Sequence, residues 1–404
     1  MIIGLDASRA NRPHKTGTEW YSFYLIKNLA ALDAQNKYWL YLDTPPTAEL
    51  ISAVQANPNF SFKLLKWPLH SFWTLGRLSW EMLWRRPDVL FVPAHGLPLI
   101  MPRRTVTTIH DIAFERERNL YRSERPPRRF FGSQTLTNFL VRLLTRGKYR
   151  SESVDYLYWS TAFALRHAAR IITVSEFTKQ EILTFYAATP AAKIAVVHNG
   201  YDAALYHPVA DQPEKVREVL NKYGLTPPYF LYVGRLEKKK NTAILVEALS
   251  LLRENYPLIK EKLVLIGDAG FGYDEVQYII EEFNLNDDVH MTGWVEEADL
   301  PYIYAGASAF IFPSKHEGFG IPVLQALAVG LPAAVSNIPA LKEVAKDAVL
   351  YFNQNDKQAV AAAMAKIISD QKLREELRLK GLARAREFSW EKCAAATLQV
   401  LLNL

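Results

Sequence analysis

The chain has 404 residues, of which 49% are hydrophobic and 22% charged, with a formal net charge of +6 and one cysteine, Cys393. That length suits two domains of roughly 200 residues and supplies apolar material for two cores. One cysteine excludes an internal disulfide and points to a reducing compartment. No apolar run approaches the roughly 18 residues that span a bilayer, and Met1-Ile-Ile-Gly-Leu-Asp6 reads as a strand rather than a signal peptide, so a cytoplasmic placement is expected.

In chain order the first half offers strands at Met1–Asp6, Lys37–Leu42, Ser61–Lys66, Asp88–Val92, Thr105–His110, Arg170–Val174 and Lys193–Val197. The second half offers Tyr229–Gly234, Leu263–Gly267, Asp288–Thr292, Ala309–Phe312, Pro332–Ser336 and Ala348–Phe352. Amphipathic stretches separate them; Ile244, Leu245, Ala248, Leu249 and Leu252 make one apolar helical stripe. Strands alternating with helices predict an α/β protein of two doubly wound parallel-sheet domains facing each other across a cleft. The join falls near Tyr206–Pro213, giving a domain over 1–207, a second over 208–386, and a C-terminal helix within 387–404 that is expected to pack back on the first. Charge is uneven. Residues 1–207 hold 26 Lys and Arg against 16 Asp and Glu, and much of that excess lies between Arg116 and Arg150.

In open α/β sheets ligands bind beyond the carboxyl ends of strands, so the loops there are the places to look for chemistry. The turn Gly234-Arg-Leu-Glu-Lys-Lys-Lys-Asn241 carries Arg235 at a strand end and Lys240 just before a helix, two cations that suit a diphosphate leaving group. Pro313-Ser-Lys-His-Glu-Gly-Phe-Gly320 follows a buried strand and holds one carboxylate, Glu317, among glycines, with Pro322 at a helix start and Gly330 at its end. Loop amides, a helix dipole and a lone carboxylate suit a sugar that carries a phosphate. No Asp-x-Asp pair and no His/Cys cluster with metal spacing occurs, so neither a metal nor another cofactor is expected.

The succession Gly17-Thr-Glu-Trp-Tyr21, Thr108-Ile-His-Asp111, Val174-Ser-Glu-Phe177, Val197-His-Asn-Gly-Tyr-Asp202, Gly234-Arg-Leu-Glu-Lys-Lys-Lys-Asn241 and His316-Glu-Gly-Phe-Gly320 resembles the family 4 retaining glycosyltransferases of GT-B fold, whose domains are Rossmann-like. The resemblance runs the length of the chain, in order. It implies a nucleotide sugar, GDP- or UDP-linked, as donor and a glycan or lipid-linked acceptor in polysaccharide biosynthesis. By the same resemblance Glu317 binds donor hydroxyls, and the amides of Gly318, Phe319 and Gly320 lie against the sugar and phosphate. Arg235 and Lys240 grip the diphosphate, Gly17 and Thr18 form a loop that closes on the phosphates, and His110 stands at the sugar–acceptor junction. Asn199, Gly234 and Gly267 fall in the motifs and loops expected around the donor. The family transfers with retention and without a well-placed protein nucleophile; the departing phosphate takes the acceptor's proton.

Two positions depart from the family pattern. Gln325 stands where a second glutamate would hold the nucleotide's ribose, and Glu19 replaces a glycine of the phosphate-closing loop. An amide can still engage hydroxyls, and Glu19 is well placed to start the following helix. These departures keep alive an alternative, a non-catalytic GT-B partner subunit with a decayed donor site; a different GT-B nucleotide-sugar enzyme is another. The basic segment 116–150 interleaves Arg128, Arg129, Arg142, Arg146, Lys148 and Arg150 with Phe and Leu, which suits an anionic membrane surface. Peripheral attachment on the inner face of the membrane is therefore expected, and no nucleic acid, since no RNA-binding motif accompanies the basic residues.

Overall fold

A computed structural model describes residues 1–67, 73–121, 153–209 and 211–404. Its elements follow from burial on both faces: β8 (Tyr229–Val233), β11 (Ala309–Phe312) and β12 (Ala333–Ser336) are buried at every position. Continuous apolar runs of that kind form the centre of a parallel sheet rather than one with a wet face.

The described residues hold thirteen strands, in two parallel sheets. The first contains β1 (Ile2–Asp6), β2 (Lys37–Leu42), β3 (Phe60–Leu64), β4 (Val89–Val92), β5 (Thr105–Ile109), β6 (Arg170–Thr173) and β7 (Ile194–Val196), in the order β3-β2-β1-β4-β5-β6-β7. The second contains β8, β9 (Lys262–Ile266), β10 (Val289–Gly293), β11, β12 and β13 (Leu350–Phe352), in the order β10-β9-β8-β11-β12-β13. Each anticipated strand is present, with ends that agree to within two residues. Strand order reverses between β1 and β4 in one sheet and between β8 and β11 in the other. These are the switch points where an open sheet leaves a crevice beyond its carboxyl edge.

The chain divides into two compact units, Met1–Gly200 with Trp390–Leu404, and Tyr201–Ser389. The stretch from Tyr201 therefore sits in the second unit. Tyr206 anchors it there, its ring edge-on to Tyr304 at 6.2 Å and its hydroxyl donating to Glu297 at 2.6 Å.

The helix Trp390–Leu402 packs within the first unit against the helix Gly17–Leu32. Trp390 stacks on Tyr24 with centroids 5.4 Å apart and planes 8° apart, and meets Tyr21 edge-on at 6.1 Å. Cys393 lies buried in the same helix, where loss of hydration pushes its thiol up to about 12 and keeps it unreactive. Removing a buried indole should cost about 3–5 kcal/mol. Trp390→Ala is expected to lower unfolding stability by that amount in denaturant titration, and a loss below 1 kcal/mol would show that the helix does not depend on this stack.

Candidate active site

The site in the second unit is built at its switch point. The turn after β8 and the loop after β11 are stitched together by backbone: the Lys315 amide donates to the Lys239 carbonyl at 3.0 Å, and Ser314 Oγ donates to the same carbonyl at 3.3 Å. That joins two segments separated by some 75 residues in the chain, and it brings Lys240 Nζ to 2.6 Å from Glu317 Oε1. Both side chains are largely enclosed, 20% and 9% exposed. Arg235 is different: its guanidinium is 54% exposed and only 3.9 Å contact with Glu237 restrains it. The pocket edge thus carries one tethered cation and one reaching into solvent.

Glycines make the approach possible. A Cβ on Gly267 would lie 2.1 Å from the Gly234 carbonyl oxygen, and one on Gly234 would lie 2.7 Å from the Tyr232 hydroxyl; both residues also have positive φ, +137° and +153°. The ends of β8 and β9 therefore sit closer than any side chain allows. Gly320, φ +97°, is the N-cap of the helix Ile321–Ala328, with Pro322 in its first turn. The loop Gly318–Gly320 thus leads into a helix amino terminus, but the Phe319 ring points inward, edge-on to Phe388 at 5.7 Å. Below the site Tyr232 stacks on Phe312 at 5.8 Å, and Lys240 Nζ stands 5.8 Å from the same Phe312 ring. Burial, then the Glu317 charge, raises the Tyr232 phenol well above its usual range, so it stays protonated and donates to the Arg235 carbonyl at 3.1 Å.

Gln325 lies one helical face inward, nearly buried, with Nε2 3.4 Å from Glu297 Oε1. Glu297 escapes a motif-based reading. It lies beyond Trp294-Val295 in the loop after β10, and only its acidic neighbours in Glu296-Glu-Ala-Asp299 hint at it.

The first unit has its own site at the β1/β4 switch point. A cavity of about 530 Å³, within the range of small-molecule pockets, opens beyond these strand ends. Asp6 and Ser8 follow β1, Asp43 follows β2, and Val92 and Ala94 end β4; Trp73 and Tyr156 add aromatic walls. Its two arginines are each matched by an acid, Arg9 with Glu19 at 2.9 Å and Arg12 with Asp43 at 2.5 Å. Asp6 is enclosed. Burial raises its carboxyl above the ordinary range, against the opposing hydrogen bonds from the Ser8 hydroxyl and amide. Apart from Thr18 and Glu19 of the Gly17–Tyr21 motif, the lining residues stand in no recognisable motif, because the cavity is assembled from single residues of separate segments.

Gly17 and Thr18 form the first turn of the helix Gly17–Leu32, closed by a capping box in which Thr16 and Glu19 exchange hydrogen bonds. Burial alone would raise the Glu19 carboxyl, but the bonds from Thr16 and Arg9 prevail and lower it. The departure at position 19 is thus the acid of a capping box. Thr18 lines the cavity.

Asn199 is buried in the first unit, at its carboxyl end, and its Oδ1 has no hydrogen-bond partner. Of the basic stretch, Arg116 forks onto Glu181 and Arg118 reaches Asp155 at 2.9 Å. Arg128, Arg129, Arg142, Arg146, Lys148 and Arg150 lie outside the described residues.

His110 stands just past β5. Its Nε2 is 3.1 Å from the Pro93 carbonyl, so Nε2 carries the proton and Nδ1 the lone pair. The ring meets Tyr21 edge-on at 4.8 Å and lies 6.2 Å from His95 of the cavity wall. Burial, ahead of His95, holds the imidazole down at about 4 from an ordinary 6.5. The folded protein thus takes up this proton only at lower pH than the unfolded chain. The stability gained from a neutral ring is complete above pH 6.5 and is lost as pH falls toward 4. The melting temperature of the native protein is expected to fall more steeply over that window than that of His110→Gln; parallel curves would refute a buried neutral imidazole.

The comparisons with known proteins agree with this architecture. Residues 15–205 match the family described as Glycosyltransferase Family 4, and residues 214–384 match Glycosyl transferases group 1. Among solved structures, sucrose-phosphate synthase from Thermosynechococcus elongatus superposes with a TM-score of 0.73 at 18% identity, covering 100% of this chain and 98% of that one. HepE of Anabaena, solved in complex with UDP and glucose, superposes with a TM-score of 0.69 at 18% identity, covering 100% and 99%. At such identities the likeness establishes the fold, which is GT-B.

With the two matched families, this places the chain in glycosyltransferase family 4. In sequence it is 35% identical over 252 residues to the O-antigen chain mannosyltransferase B of Escherichia coli. The match covers 61% of this chain and 64% of that relative, just under two thirds of the relative's length.

Proposed function

We propose that this protein is a retaining glycosyltransferase that moves a sugar from a nucleoside-diphosphate donor to a glycan acceptor during polysaccharide biosynthesis on the cytoplasmic side of a membrane. The Lys240–Glu317 pair, 2.6 Å apart at the β8/β11 switch point, carries the reading. A diphosphate brings negative charge to Lys240 and to the exposed Arg235, while Glu317 turns from the lysine toward sugar hydroxyls. The anomeric carbon–oxygen bond to the phosphate breaks, the acceptor oxygen bonds to the same face, and the released phosphate oxygen takes the acceptor's proton. No protein nucleophile is required, and the two side-chain cations rather than a metal offset the leaving group's charge.

The acceptor is assigned to the cavity of the first unit. Both arginines there are matched by carboxylates, so neither is left over for a phosphate, and the polar wall suits hydroxyls. Trp73 and Tyr156 offer faces to the C–H side of a sugar ring. His110, neutral beside His95, orients rather than protonates. The relative named as an O-antigen mannosyltransferase supports a polysaccharide product, and the UDP bound by HepE supports a nucleotide-sugar donor.

Glu317→Gln and Lys240→Ala are each expected to lower transfer by about 10²–10³ with the circular-dichroism spectrum unchanged. Turnover within a few-fold of native in either variant, measured as nucleoside diphosphate released in the presence of acceptor, would remove the site assignment.

A further inference from the structure

The helix Ser79–Trp84, with the π-turn Trp73–Leu78 that precedes it, has two unlike sides. Leu78 and Met82 are fully buried in the core of the first unit. On the other side Trp80, Leu83 and Trp84 are 59%, 44% and 74% exposed. Spacing of i, i+3 and i+4 places these three on one face, and the two indoles lie 6.3 Å apart. Ser79 Oγ accepts the Leu99 amide at 2.8 Å, which draws in a neighbouring loop whose Leu99 is 48% exposed. Three large apolar side chains of one short helix therefore share a solvent-facing patch, with a further exposed leucine, Leu99, in the loop bonded to that helix.

The charges around this patch are basic. Arg85 and Arg86 follow directly and are exposed, as is Arg103 in the segment after Leu99. Nearby acids are engaged elsewhere: Glu81 holds Arg77 at 3.0 Å, and Asp88 takes the Ile2 amide at 2.6 Å. Exposed indoles are costly to leave in water, and a contiguous apolar patch of this kind marks an interaction surface. Tryptophan settles at the boundary between headgroups and acyl chains, and arginines beside it meet anionic headgroups. Arg86 Nε donates to the Met82 carbonyl at 2.6 Å, which fixes its position at the helix end, and among the described residues neither Arg85, Arg86 nor Arg103 has a carboxylate partner, so the charge beside the indoles is complementary to an anionic surface.

Among the described residues no helix is long and apolar enough to cross a membrane, so a surface contact is the form such an association takes. The described part of the basic stretch does not supply it, since Arg116 and Arg118 are tied to Glu181 and Asp155.

We propose that the face of Trp80, Leu83 and Trp84, with Arg85 and Arg86, docks this protein on an anionic lipid bilayer. The inference is independent of the donor reading, because binding to lipid is measured without nucleotide sugar. The test is flotation of the full chain with vesicles of phosphatidylcholine alone or mixed with phosphatidylglycerol. Native protein is expected to float with the anionic vesicles, and more weakly at high salt. Trp80→Ser/Trp84→Ser is expected to lose at least tenfold in partitioning, and Arg85→Ser/Arg86→Ser roughly thirtyfold on anionic vesicles only. Both variants should keep the native fold, read as an unchanged circular-dichroism spectrum. Native protein that stays with neither vesicle, or a double tryptophan variant that floats as well as native, overturns the proposal. So does a patch-dependent dimer in sedimentation with no lipid binding, which would assign the face to a second copy.

Discussion

The contact between Lys240 and Glu317 organises the second unit's chemistry. Each charge sits where water is largely excluded, and an unpaired charge there would cost several kcal/mol. The pair exists because strand order reverses between β8 and β11, which brings two loops distant in sequence to the same crevice. The backbone bonds from Lys315 and Ser314 to Lys239 hold that meeting in place. Under the proposed function a donor would replace this mutual neutralisation with another, diphosphate for the lysine and hydroxyls for the carboxylate. Gly234 and Gly267 then matter for sterics: their strand ends approach so closely that no Cβ fits.

The first unit applies the same topological rule with different chemistry. Its crevice lies between β1 and β4, and its charges are already balanced in Arg9–Glu19 and Arg12–Asp43. The second unit instead leaves Arg235 half in solvent. That contrast is what the proposed function draws on in assigning the anionic donor to the second unit and a hydroxyl-rich acceptor to the first. His110, held neutral by burial next to the first unit's crevice, is consistent with orienting a hydroxyl and poorly suited to delivering a proton.

Much of this was legible in the sequence because fully buried parallel strands announce themselves. Runs such as Tyr229–Val233 and Ala309–Phe312 have no polar alternation and stop at Gly or Pro. The placement of Arg235, Lys240 and Glu317 in turns at strand ends was legible through turn chemistry, whereas the direct contact of Lys240 with Glu317 was not. Other features were not, for identifiable reasons. That Gly17 and Thr18 open a helix closed by a capping box depends on the Thr16 and Glu19 side chains meeting, which spacing alone does not establish. Glu297 lacks any local motif, and its pairing with Gln325 and Tyr206 depends on tertiary placement. The cavity draws Asp6, Asp43 and Trp73 from separate segments. That Trp80 and Trp84 face outward is set by tertiary placement, with Leu78 and Met82 on the buried side of the same segment.

The account rests on a sugar leaving a diphosphate held by Lys240 and Arg235 and arriving on an acceptor with its configuration unchanged. The most direct measurement is proton NMR of the anomeric signal while the purified protein acts on a panel of GDP- and UDP-sugars with an oligosaccharide acceptor. A new glycosidic signal of the same anomeric configuration as the donor, appearing as nucleoside diphosphate accumulates, is the predicted result. A product of opposite configuration, or an unchanged donor signal across the whole panel, would contradict it.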